Sequence, residues 1–203
     1  MTYTQVDILV RWLHVIAGIT WIGHLYFFNF VNVPLQGVLD DATKKAVNKE
    51  LLLRALFWFR WGAMVTFLAG LALFTLNYMY TPEIGFGPSI LFSSAEGLTS
   101  RGILILLGML FGSIMWFNVW FIIWPTQKSM LTGQVPAEQL PAARAKAKLF
   151  SRINVFLSGP MLFFMLAAPH FGNAGPVAII AFILIGGGAM HLAVRASDTA
   201  GKP

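Results

Sequence analysis

Apolar residues run through this chain in five long blocks, with the polar residues gathered between them. The blocks extend from about Val6 to Asn32, Ala55 to Tyr80, Gly102 to Trp124, Leu149 to Ala168 and Pro176 to Val194. Each approaches or exceeds the ~20 residues that an α-helix needs to cross a bilayer. Prolines follow the first four blocks, at Pro34, Pro82, Pro125 and Pro169. A proline cannot continue the helical hydrogen-bond ladder, so each predicts a helix stop. The expected architecture is all-α: an integral membrane bundle of five transmembrane helices, a single domain over residues 1–203. The first block carries Asp7, no early lysine and no small-residue cleavage site. It reads as a retained membrane helix rather than a cleaved signal.

Composition agrees with that pattern. The 203 residues are 57% hydrophobic and 11% charged, against roughly 25% charged in a soluble domain. The net charge of +6 is unevenly placed. Lys44, Lys45, Lys49 and Arg54 follow the first block; Lys128, Arg144, Lys146, Lys148 and Arg152 follow the third; Arg195 and Lys202 lie in the tail. Residues 81–100 and 171–175 contain no lysine or arginine. The positive-inside rule then predicts an outer N-terminus and a cytoplasmic C-terminus. It also accounts for the basic balance without nucleic acid. Absence of cysteine excludes disulfides, a c-type haem attachment motif and thiolate-held iron–sulfur clusters. Trp12, Trp58, Trp61, Trp116, Trp120 and Trp124 read as an interfacial belt and bundle packing in preference to an electron path. The apolar loop residues Phe86, Ile90, Leu91 and Phe92 suggest either a cap over the outer end or a passive interfacial segment.

The chemistry lies in four histidines, His14, His24, His170 and His191, each inside or at the mouth of an apolar block. Ionisable groups within a bilayer are costly and normally serve a task, and neutral imidazole is the commonest metal ligand. Ten residues at 1.5 Å separate His14 from His24 by about 15 Å along a helix. Depth pairs His24 with His191 near the inner side and His14 with His170 near the outer side. Two stacked ligand pairs suit one or two b-type haems. Gly18, Gly23 and Gly186 to Gly188 stand near these histidines, either as flat space for a macrocycle or as close helix packing. Arg60 is the best candidate for a haem propionate partner, ahead of Arg11 and Arg101. No Asp or Glu lies well inside a helix to complete a bare-metal site. Asn29, Asn118, Asn154 and Thr20 are the other polar groups within the blocks; they read as interhelical hydrogen bonds before they read as a substrate pocket.

Two stretches carry a family resemblance. Residues 11–23 read Arg-Trp-Leu-His-Val-Ile-Ala-Gly-Ile-Thr-Trp-Ile-Gly and continue into Tyr26-Phe27-Phe28-Asn29-Phe30-Val31; residues 115–125 read Met-Trp-Phe-Asn-Val-Trp-Phe-Ile-Ile-Trp-Pro. Together they resemble the N-terminal membrane domain of the bacterial membrane-bound urate oxidase (urate hydroxylase) family, over nearly the whole chain. The segment Leu13-His14-Val15-Ile16-Ala17 is more distantly similar to the first helix of the membrane protoporphyrinogen oxidase and copper-resistance D families. In the former the matching histidine is associated with haem b, which by resemblance would fall on His14. The resemblance implies membrane redox chemistry in a bacterial inner (plasma) membrane. The urate oxidase family joins this domain to a cytochrome c, which requires a Cys-x-x-Cys-His motif that this chain lacks. Electrons would then leave to a separate cytochrome c or a quinone.

The expected function is a haem b-binding membrane electron-transfer protein or oxidoreductase subunit, alone or in a homo- or hetero-oligomer. A histidine-lined transporter or channel and an accessory membrane subunit without a redox centre are the alternatives. Five segments without an internal repeat argue against the transporter.

Overall fold

A computed structural model describes residues 2–88, 90–93, 97–171 and 174–200. Lys202, counted in the basic tail, lies outside these residues, as do parts of the loops 81–100 and 171–175. Helix α1 (Tyr3–Tyr26) opens with a capping box, Thr2 accepting from the Gln5 N–H and Gln5 accepting from that of Thr2. It passes through a π-helical segment, π1 (Phe27–Asn32), into α2 (Val33–Val38). Helix α3 (Asp41–Phe74) runs into π2 (Thr75–Met79), and α4 (Ser100–Phe117) passes through π3 (Asn118–Ile123) into α5 (Trp124–Leu131). Helices α6 (Leu140–Ala167) and α7 (Pro176–Thr199) complete the bundle. Five helical rods among the described residues are long and apolar enough to cross a membrane, and large apolar side chains such as Val177 and Leu184 are exposed on their outsides. The chain is a multi-pass, all-α membrane protein.

Two of the four expected proline stops correspond to helix ends, at Pro82 and Pro169, and two do not. The chain remains helical through Pro34 and Pro125. In both cases a π segment immediately precedes the turn that holds the proline. A proline lacks the N–H for the i−4 carbonyl and its ring collides with that carbonyl. The wider π turn redirects the carbonyls, so the rod bends instead of ending. The second and fourth rods also begin earlier than hydropathy suggests, because their polar first turns are helical too. Asp40 caps α3, accepting from the Thr43 hydroxyl at 2.6 Å and the Thr43 N–H at 3.0 Å. Those bonds hold its carboxyl below the usual carboxylate range. The cap is therefore intact above the ordinary carboxylate pKa and weakens as pH falls through the lowered value.

Helix α6 is the centre of the bundle, packed against α1, α4 and α7. Its Ser151, Asn154 and Ser158 are three and four residues apart and so share a face. Asn29 donates to Ser151 Oγ at 2.8 Å, and the Tyr26 hydroxyl meets Ser158 Oγ at 3.0 Å. Asn118 donates to Asn154 Oδ1 at 2.8 Å, while Asn154 donates to the Met115 carbonyl at 3.0 Å. Asn29 and Asn118 lie in π1 and π3, so the widened turns deliver both amides to α6. Leu25, Phe59, Met115, Val119 and Val155 close apolar packing around this seam. Removing the Asn154 amide leaves the buried Asn118 amide without its acceptor and takes one of two donors from the Met115 carbonyl. Asn154→Ala should lower stability by roughly 1–2 kcal/mol, read as a lower unfolding midpoint in detergent.

The loop between α3 and α4 forms two antiparallel pairs, β1 (Tyr80–Thr81) with β2 (Gly85–Phe86) and β3 (Phe92–Ser93) with β4 (Gly97–Leu98). Leu91 is buried, and its carbonyl accepts from the Thr99 N–H at 2.8 Å. This folds the loop back onto the start of α4.

Candidate functional site

Two of the four histidines are held in one defined orientation by backbone carbonyls. His14 places Nδ1 2.9 Å from the Thr66 carbonyl of α3. His24 places Nδ1 2.7 Å from the Thr20 carbonyl, one turn back on its own helix. A carbonyl oxygen only accepts, so Nδ1 carries the proton in each ring when the imidazole is neutral. The lone pair is then on Nε2, at the other side of the ring. This is the arrangement that orients metal-ligating imidazoles.

His24 also lines a groove of about 360 Å³ on the outside of the bundle, with walls of Ile19, Thr20, Gly23, Phe27, Leu51 and Ala55. The walls come from α1, π1 and α3 alone. The Tyr26–Ser158 bond turns that part of α1 toward α6, and His24 is two residues away, about 200° around a helix. The groove consequently faces away from α6. A Cβ built at Gly23 meets nothing within 4 Å, leaving open space beside His24. At His14 the fit is closer: a Cβ on Gly70 would stand 3.1 Å from His14 Cε1. Glycine there lets the ring lie flat on α3. Gly70→Val should push the ring off the Thr66 carbonyl. In ¹⁵N NMR that appears as a changed His14 Nδ1 signal with the His24 signal unmoved.

The other two histidines are elsewhere. His191 is exposed on α7, its ring 6.1 Å from that of Phe156 on α6. His170 is exposed in the turn after α6, its N–H bonded to the Ala167 carbonyl. No hydrogen bond or ring contact joins two of the four histidines among the described residues. The expected partners by depth, His24 with His191 and His14 with His170, are not brought to a common contact. Nor are three or more His, Asp or Glu side chains grouped around a point suited to a bare metal ion, among the described residues. A haem asks for less, because its macrocycle supplies four nitrogens and the protein only axial ligands.

Arg60 lines no part of the His24 groove and faces Trp120 of π3 and Trp124 of α5. The glycines divide between the two readings given to them. Gly186 packs directly on Gly159 and Pro160, whereas Gly187 and Gly188 meet nothing within 4 Å. Asn29, Asn118 and Asn154 are interhelical ties, and Thr20 bonds back to Ile16 within α1. Sequence reasoning missed the carbonyl acceptors of His14 and His24, because a backbone contact leaves no residue-type signal.

A family model described as urate oxidase N-terminal matches residues 1–52 and 88–196, which include all four histidines but not Arg60. No curated protein and no solved structure matches.

Proposed function

Because this chain belongs to the urate oxidase N-terminal family, we propose that it is a haem b-binding membrane domain of an oxidoreductase, with His24 as the principal iron ligand. The observation that carries this reading is the fixed His24 tautomer beside an apolar groove. Thr20 holds the Nδ1 proton, orients the ring and raises the basicity of Nε2. Gly23 keeps the approach open, while Ile19, Phe27, Leu51 and Ala55 exclude water. His14, held by Thr66, offers a second ligand about 15 Å away along α1. His191 and His170, the partners suggested by depth, stand on other faces of the bundle, and either would hold iron only at a site apart from the His24 groove. When bound, the iron would supply one-electron chemistry, its potential set by axial ligands and burial. The chain spans a bacterial inner membrane with its N-terminus outside, and electrons leave to a quinone or a cytochrome c.

Haem titrated into protein made under haem limitation tests the reading. A Soret band should grow and saturate at one or two equivalents per chain. A response that rises without saturation, as haem dissolving into detergent would give, contradicts it.

A further inference from the structure

The guanidinium of Arg60 is surrounded by three indoles and, among the described residues, has no anion. Its Cζ lies 4.2 Å from the ring centre of Trp124, 5.0 Å from that of Trp120 and 5.4 Å from that of Trp61. The Trp120 N–H donates to the Arg60 carbonyl at 3.2 Å, which fixes one wall of this cage. Nε is buried without an acceptor. Among the described residues the ion pairs are Arg11–Asp7, Lys44–Asp41 and Arg54–Glu50, none of which involves Arg60. Aromatic faces answer the charge of a guanidinium but accept little from its five N–H groups. An oxyanion at the edge of the fork would satisfy both needs.

Position identifies the source of that oxyanion. Arg60 is six residues into α3 from Arg54, about 9 Å along the axis, and Trp124 is one turn before Lys128. The cage therefore stands where the basic end of the bundle meets its apolar zone, the level at which tryptophans sit among lipid headgroups. Phe57 and Trp61 are exposed beside it and present an apolar surface to an acyl chain. We infer that Arg60 with Trp61, Trp120 and Trp124 forms a binding site for the phosphate of an anionic membrane lipid. A propionate of a haem at His24 is the competing anion, but that groove is walled by Leu51 and Ala55, on another face of α3. The site does not depend on the haem reading.

The test uses the full chain in nanodiscs of phosphatidylcholine with a minor fraction of phosphatidylglycerol, with retained lipids read by native mass spectrometry and the cage by tryptophan fluorescence. The wild-type chain should retain phosphatidylglycerol selectively. Arg60→Gln should lose that preference and Arg60→Lys keep part of it. Arg101→Gln removes a guanidinium with a buried, unpartnered Nε over Tyr78 at the other end of the bundle, and should keep the preference in full. Equal retention of both lipids by the wild type, or unchanged selectivity in Arg60→Gln, overturns the proposal. So does an Arg60-dependent fluorescence response to inorganic phosphate without lipid selectivity, which would assign a free anion. Loss of haem in Arg60→Gln with lipid retention unchanged would return the residue to a propionate. Should Arg60→Gln aggregate, Arg60→Lys against the wild type decides on the same readouts.

Discussion

His24→Ala should cost the protein most of its haem while leaving the bundle folded. The ring is half-buried, and its own hydrogen bond is a local one to Thr20, so its loss opens no interhelical contact. Binding suffers far more. Even residues that only orient a metal ligand are typically worth 10- to 100-fold in affinity, so losing the ligand itself should reduce bound haem by at least about tenfold. Circular dichroism and the unfolding midpoint of the apoprotein should stay near wild type, and added imidazole should restore part of the spectrum. A His24→Ala protein with undiminished haem would remove the residue from the site. His191→Ala tests for a site apart from the groove. A changed spectrum, with the His24 haem retained, makes His191 an axial ligand at its own site, and an unaltered one removes it.

Gly159→Leu should detach α7 from the bundle. A Cβ at Gly159 would stand 2.3 Å from the Gly186 carbonyl oxygen, and one at Gly186 would stand 2.6 Å from the Pro160 nitrogen. Backbone therefore meets backbone here, and no rotamer change makes room. Overpacking a core commonly costs about 1–3 kcal/mol, and backbone contact places this case at or beyond the upper end. Helix α7 packs mainly on α6, with a smaller contact to π1, so little else would hold it. Because the chain has no cysteine, cysteines introduced at Phe163 and Phe182, whose rings are 4.3 Å apart, report the contact through a short bifunctional thiol reagent. That cross-linking should be efficient in the otherwise wild-type chain and largely lost with Gly159→Leu. Unchanged cross-linking and melting would show that the helices accommodate the side chain.

The membrane fold was legible because lipid imposes a strong rule: long apolar runs must satisfy their backbone as helices. The five blocks of hydropathy correspond to the five rods. Boundaries were harder, since the polar first turns before Ala55 and Leu149 carry no hydropathy signal; the former starts at the Asp40 cap, the latter without a side-chain cap but with Pro141 in its first turn. Pro34 and Pro125 misled for a related reason. A proline marks lost backbone bonding, but whether the chain stops or widens into a π turn depends on tertiary ties, here those of Asn29 and Asn118 to α6. At the candidate site, the sequence singled out the histidines and their spacing along α1. It could not tell which way each ring turns around its helix, and that rotation separates the His24 groove from the α6–α7 face of His191. Trp120 and Trp124, four residues apart, already shared a helix face; that Arg60 faces them across the bundle required the fold.

The most direct measurement is a pyridine haemochrome assay with a reduced-minus-oxidised spectrum, on protein purified from cells supplied with haem precursor. The account predicts a b-type α band and one or two haems per chain. A folded, monodisperse protein with no Soret or α band would contradict it.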